Sequence, residues 1–404
     1  VVIDLAATER NVRLAFGILF VLAVTGFLWW DRNKVQRSFI VFFRRTERGL
    51  VFIDRLVSKA PRLWKGWGWG SVVVGMLSMP VSLATMGFAL FQLTQGNPSG
   101  GPSLILPGLV SQNQFNPGVS FIVLEYWVAS IAVVMVVHEL SHAVVARAED
   151  FELNSVGWVV FGVIPGAFVE PKGENMLPGE ESDEDSGKMW SGGSWLGRLK
   201  VVSAGSFSNY VFGALFLLAS IGVGAAVTSP VQTGYIGVQF TGLENGSVSY
   251  SAQQDFPTYE SGMRNGTLYE LNGTDLRNVS SPQELSNKVR NFTSRLDPGE
   301  TVSVLSSEGS FTLEADSRKV DRLKPSLEQY GGAINWFASG LETIALLNIL
   351  IGLFNMLPIK PLDGGLAAET LISRYAGERF VPALNKASTA GWGLLLVSLA
   401  ASLI

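Results

Sequence analysis

Two histidines, the only ones among 404 residues, stand four apart in His138-Glu139-Leu140-Ser141-His142. On a helix, residues four apart stack on one face, so both imidazoles reach a single metal ion. Glu139 lies beside that face, placed to hold a water and accept its proton. The alternative, a buried polar pair that serves packing alone, is costly at this place. The motif interrupts an apolar run from Val119 to Val145 in which Glu125 is the only earlier charge. An unpartnered ionisable group in hydrocarbon costs on the order of several kcal/mol. With no cysteine and no third histidine, any further protein ligand for zinc has to be a carboxylate.

Composition says what surrounds the motif. The chain is 47% hydrophobic and 16% charged, with a mean hydropathy of +0.29, the balance of a membrane protein. A net charge of -4 and one basic cluster between apolar spans give no sign of nucleic-acid binding. The absence of cysteine excludes disulfides, thiolate ligands and a thiol nucleophile.

Six apolar spans satisfy the loops. The first, Leu14 to Trp30, is followed by a basic stretch from Arg32 to Lys65, which the positive-inside rule makes cytoplasmic. Within that stretch Phe39 to Val57 reads as a lipid-surface helix. The second span, Gly68 to Leu93, leads to an uncharged outer loop, Thr94–Gly118. The third carries the motif, with His138 about 25 Å from Phe121, near the cytoplasmic side but within membrane thickness. Water must reach it through a cavity.

Phe151 to Pro171 is apolar, too short to cross, and broken by Gly and Pro. It suits a re-entrant hairpin lining a cavity, or a short interfacial loop. Glu180 to Asp185 is an acidic, solvating patch. The fourth span, Val201 to Val227, holds Gly205 and Asn209. Asn209 either binds a substrate backbone or bonds a neighbouring helix. From Ser229 to Tyr330 the chain turns soluble, and the Asn-X-Ser/Thr acceptors Asn245, Asn265, Asn272, Asn278 and Asn291 agree with an outer-side domain. Spans resume at Ile334 to Leu357 and Ala387 to Ile404, with Lys360, Arg374, Arg379 and Lys386 marking a cytoplasmic loop.

Alternation of sides brings the ends of the third and fifth spans to one depth, and with them Asp363. Pro358, Pro361 and Gly364-Gly365 are expected to unwind the helix there, so that a short side chain turns inward. Two histidines, one aspartate and one water make a tetrahedral zinc site with an open position, suited to peptide hydrolysis. An extended substrate would pair with an edge strand near Gly166–Glu170, which replacing Phe168 by proline should disrupt.

Taken together, these residues resemble the site-2 protease family of intramembrane zinc metalloproteases. The match rests on the zinc motif in a span, Asn355 to Pro358 followed by Leu362-Asp363-Gly364, the Gly205…Asn209 pattern, and Pro165-Gly166-Ala167-Phe168-Val169. The resemblance implies a three-helix catalytic core and one Zn2+ per chain on His138, His142 and Asp363, with Glu139 as base. Asn209, Asn355, Gly166 and Phe168 become substrate-binding or site-supporting residues. It also implies single-span membrane protein substrates, cut after a first cleavage outside. Gly262-Met263, Leu271-Asn272-Gly273, Ser281 to Leu285 and Pro298-Gly299-Glu300 are similar to the second half of a PDZ domain, with an insert near Ser247–Thr258.

The expected architecture is a polytopic α-helical membrane protein with a re-entrant β-hairpin and an inserted PDZ-like α+β domain. Its parts are N-terminal helices (1–118), a first catalytic segment (119–228), an extracytoplasmic PDZ-like domain (229–330) and a second catalytic segment with the final helix (331–404). The competing reading is an inactive membrane adaptor that binds partners through the soluble domain. An adaptor has no need of Glu139. A metal transporter would want a series of intramembrane carboxylates that the chain lacks.

Overall fold

The computed structural model describes residues 5–38, 41–97, 100–110, 112–116, 118–162, 164–171, 193–244, 246–293 and 296–402. The acidic run Glu180–Asp185 and the acceptor Asn245 lie outside them. The chain divides into two compact units, one of Val1–Ile221 with Trp336–Ile404 and one of Gly222–Asn335.

The helices are α1 (Leu5–Trp30), α2 (Arg48–Lys59), α3 (Pro61–Thr94), α4 (Leu124–Ala148), α5 (Trp195–Val227), α6 (Pro257–Glu260), α7 (Pro282–Thr293), α8 (Gly331–Asn355), α9 (Asp363–Tyr375) and α10 (Val381–Ser402). Among the described residues, five are long and apolar enough to cross a membrane: α1, α3, α4, α5 and α8. The expected sixth span is α10, a 22-residue helix that does not reach the same mean hydropathy. Asn385, Lys386, Ser388 and Thr389 dilute its first half.

Small residues let α3 lie close to α5. Gly68, Ser71, Gly75, Ser78 and Ser82 are its buried positions, spaced alternately three and four apart. Ser71 Oγ donates to Lys200 O at 2.9 Å, and a Cβ at Gly75 would come within 2.8 Å of Ser203. Between lipid-soluble helices, such close approach supplies the dispersion contact that hydrophobic transfer cannot.

Two stretches expected as helix or loop are strand. Gly118–Val123 (β4) precedes α4 and pairs in parallel with Ser103–Gly108 (β3), so the motif helix starts at Leu124, not Val119. Val119, Phe121, Ile122 and Val123 are β-branched or aromatic, and the supposed outer loop supplies their partner. The expected surface helix over Phe39 to Val57 begins only at Arg48; Val41–Thr46 is a strand, β2, preceded by β1 (Gln36–Ser38). These two join β5 (Leu153–Phe161) and β6 (Ile164–Pro171) in an antiparallel sheet of order β1-β2-β5-β6. The apolar 151–171 segment is thus a hairpin, turning at Gly162 with φ 63. Its partner strands come from the basic N-terminal stretch. Helix α2 packs Ile53 against α4 and is pinned by Arg147 Nε to Asp54 Oδ1 at 3.0 Å.

Helix α8 stops at Asn355, and α9 starts at Asp363. The break carries Pro358 and Pro361. Gly364 and Gly365 do not unwind anything: they form the first turn of α9. A Cβ on Gly364 would strike the Met356 carbonyl, and one on Gly365 the Ile359–Lys360 backbone. Only glycine lets α9 start directly under the end of α8.

The second unit is built on the sheet β13-β12-β10-β9-β8, with β11 (Thr274–Asp275) on β10 (Asn265–Leu271). Here β7 is Thr228–Tyr235, β8 Val238–Glu244, β9 Ser247–Ala252, β12 Thr301–Ser306, β13 Gly309–Glu314 and β14 Asp316–Leu323. β7 and β14 form a separate antiparallel ribbon. Asn272 and Gly273, both at positive φ, make the tight turn between β10 and β11. Val248, Tyr250, Met263, Leu268 and Val302 fill the core, with Leu285 and Val289 of α7 against it. The stretch read as an insert, Ser247–Thr258, includes β9, which pairs with both β8 and β10 and so belongs to the sheet.

Candidate metal centre

His138 and His142 lie one turn apart on α4, and their Nε2 atoms are 3.1 Å apart. Asp363, at the first position of α9, approaches both: Oδ2 is 3.3 Å from His138 Nε2 and Oδ1 is 3.6 Å from His142 Nε2. Tetrahedral bonds of about 2.0–2.1 Å need donors roughly 3.3 Å apart, which these separations bracket. Among the described residues these three form the one group able to hold a metal ion.

The surroundings orient each donor. His142 Nδ1 donates to the Val201 carbonyl at 2.7 Å, which turns the lone pair of Nε2 into the cluster. Ser206 Oγ donates to Asp363 Oδ2 at 3.1 Å. The Asn209 amide lies 3.1 Å from His138 Nδ1, while its Oδ1 is buried without a partner. An amide has two orientations of nearly equal shape. The one that puts Oδ1 on Nδ1–H satisfies both groups and leaves His138 Nε2 free to ligate. The structure puts Asn209 against His138 of α4. Asn355 Nδ2 is 3.5 Å from His138 Nε2, at the margin of a hydrogen bond.

Gly205 makes the space. A Cβ there would fall on His142 Nε2 and come within 2.6 Å of His138 Nε2. The residues therefore fit a small divalent ion: two imidazole nitrogens, one carboxylate, and room that any side chain would fill.

Glu139 points toward β6, where its carboxylate lies beside the Val169 backbone N–H. Residues along a strand alternate in the edge they face, so Ala167 shares the outward edge of Val169, whereas Gly166, Phe168 and Glu170 face β5. Pro165 and Pro171 fall on the outward set, where no ladder bond is lost. That edge has no strand partner among the described residues.

Gly166 and Phe168, expected to bind substrate or to support the site, sit at packing positions. A Cβ on Gly166 would strike Met135 Cε, so glycine lets β6 lie against α4 one turn before Glu139. Phe168 is buried and covers Gly157, its cross-strand partner. The proline replacement at Phe168 would break β5 pairing and say nothing of the free edge; Ala167 is the position to change.

One supporting pair escaped sequence reasoning. Glu170, only 2% exposed, accepts from Arg45 Nε and Nη2, Ser155 Oγ and Asn154 Nδ2. Arg45 lies on β2, so the basic stretch read as a topology signal also anchors the hairpin. The available signal was Val41-Phe42-Phe43, three strand-favouring residues before two arginines.

Compared with known protein families, residues 126–399 match the model of peptidase family M50. A search of curated proteins returns no match.

Proposed function

From the chain's membership of peptidase family M50, we propose that it is a zinc-dependent intramembrane protease of the site-2 type. It hydrolyses peptide bonds within or near transmembrane segments of single-span membrane proteins, after a first cut elsewhere, as one step of regulated proteolysis. The observation that carries this reading is the convergence of His138, His142 and Asp363 beside Glu139 and an unpaired strand edge.

His138, His142 and Asp363 would hold the zinc ion, and Asn209, Val201 O and Ser206 keep their donors turned inward. The bound ion supplies Lewis acidity for attack of water on a peptide carbonyl. Glu139 takes the proton of the attacking water and passes it to the leaving amine. The Val169 N–H lies beside that carboxylate. A helical substrate hides its carbonyls, so the scissile segment must unwind. The N–H and C=O of Ala167 offer it an extended partner, by the same main-chain pairing that builds sheets.

We place the metal centre near the cytoplasmic side, on the positive charge of the stretches 32–65 and 360–386. The unit Gly222–Asn335 is then extracytoplasmic. Its strand–helix order and the Asn272-Gly273 turn support a PDZ-like reading, in which it screens out substrates whose outer part is still bulky.

The test expresses the full chain with candidate single-span substrates, wild type against Glu139→Ala. A membrane-released fragment that vanishes with Glu139→Ala, while zinc content stays at one per chain, supports the reading. Equal release from both proteins, or no zinc retained by either, overturns it.

A further inference from the structure

Helix α8 carries one carboxylate inside its membrane-spanning stretch, Glu342. It is exposed on the surface of the fold, about 20 Å along the helix from Asn355 and about 9 Å deeper than Trp336. Ser220 Oγ on α5 donates to it at 3.0 Å. Beside it opens a cavity of about 380 Å³, walled by Gln112, Asn113, Ser339 and Thr343 among others, with no lysine or arginine in the lining among the described residues.

The side chains of Asn113 and Thr343 are already engaged. Asn113 Oδ1 accepts Val123 N–H at 3.0 Å, and Asn113 Nδ2 donates to Thr343 Oγ1 at 2.9 Å. Thr343 Oγ1 in turn donates to Ser339 O at 2.7 Å. Glu342 is the group left with charge to offer. An exposed carboxylate at this depth costs several kcal/mol in hydrocarbon unless something polar meets it.

We propose that Glu342 and the polar notch beside it dock a lysine or arginine carried by a substrate's transmembrane helix, in the half remote from the metal ligands. This deepens the proteolytic reading and rests on it. The depth argues for a helix side chain over a lipid ammonium group. Trp336 marks the interfacial level, and Glu342 lies below it. A long basic side chain reaches a carboxylate there while its stem stays in hydrocarbon.

The experiment reconstitutes the full chain in liposomes with single-span substrates that carry lysine or leucine at successive positions of that half. Lysine at the matching depth should raise kcat/KM over leucine by about tenfold, chiefly through KM, with the ratio falling to near one in Glu342→Gln. Glu342→Lys should instead prefer an aspartate at the same position. A wild-type ratio near one, a ratio unchanged by Glu342→Gln, or a preference seen only in ethanolamine-headgroup vesicles overturns the proposal.

A second readout does not need cleavage. The chain has no cysteine, so Leu346→Cys in a Glu139→Ala background offers a single cross-linking site beside Glu342. Lysine-dependent cross-linking to a single-cysteine substrate supports docking even if no substrate is ever cut, which separates the two readings. Equal cross-linking of lysine and leucine substrates overturns it.

Discussion

Arg45 grips both carboxylate oxygens of Glu170 across 125 positions of sequence, Nε on Oε2 and Nη2 on Oε1, each at 3.1 Å. Glu170 directly follows Val169, whose N–H lies beside the Glu139 carboxylate. A residue of the N-terminal stretch therefore steadies the base through one strand. Arg45→Ala takes the charge partner from a buried carboxylate that keeps only Ser155 and Asn154, at a cost of about 3 kcal/mol. Hydrogen exchange in 153–171 should speed up and substrate cleavage should drop, with Arg45→Lys recovering part of both. Unchanged exchange in Arg45→Ala would remove the argument.

Gly205→Ala should cost metal, not fold. The added methyl group occupies the space between the two imidazoles, so zinc affinity should fall by at least about tenfold to hundredfold, read by competition with a chelating dye. Gly222→Ala on the same helix meets nothing within 4 Å and should bind zinc as the wild type does.

The free edge of β6 can be tested at one position. Ala167→Pro deletes an outward N–H and should abolish cleavage while the β5–β6 pairing survives. Phe168→Pro removes a ladder bond and should loosen the hairpin itself. Full activity in Ala167→Pro would exclude main-chain pairing as the mode of substrate capture.

In the second unit, Tyr250 Oη donates to Glu308 Oε2 at 2.6 Å, and Arg264 N–H meets the same oxygen at 2.8 Å. Burial, with the bond to Glu308 next, pushes the Tyr250 hydroxyl from 10.0 up to about 12. The Tyr250 and Arg264 donors hold Glu308 below its ordinary 4.5. The tyrosine is raised, so its contribution is whole below pH 10 and disappears as pH climbs through about 12. The glutamate is lowered, so its contribution is whole above its unfolded value and is lost on acidification. An absorbance titration at alkaline pH should find a late tyrosine that is missing in Tyr250→Phe and shifted earlier in Glu308→Gln.

The candidate metal ligands are legible in the sequence because the inventory is so short. Two histidines and no cysteine leave few ways to build a zinc site, and span alternation brings Asp363 to the right depth. The structure groups the three donors. The four-stranded sheet was hidden, since β2 finds its partner β5 more than a hundred residues away and its arginines read as topology markers. Val119–Val123 was absorbed into a span because apolar strands and apolar helices share a composition when periodicity is missing. Gly166 and Phe168 were recognised as special, yet their reasons are contact with Met135 and Gly157, which no local pattern reveals.

The strands, the helices α5 and α8 and the second unit that lie between α4 and α9 put more than half of the polypeptide between Asp363 and the two imidazoles. While the ribosome is still making the soluble unit, the nascent chain holds only a histidine pair, a weak grip for any ion. On the proposed reading, the third donor therefore joins the other two only after the second unit has been made.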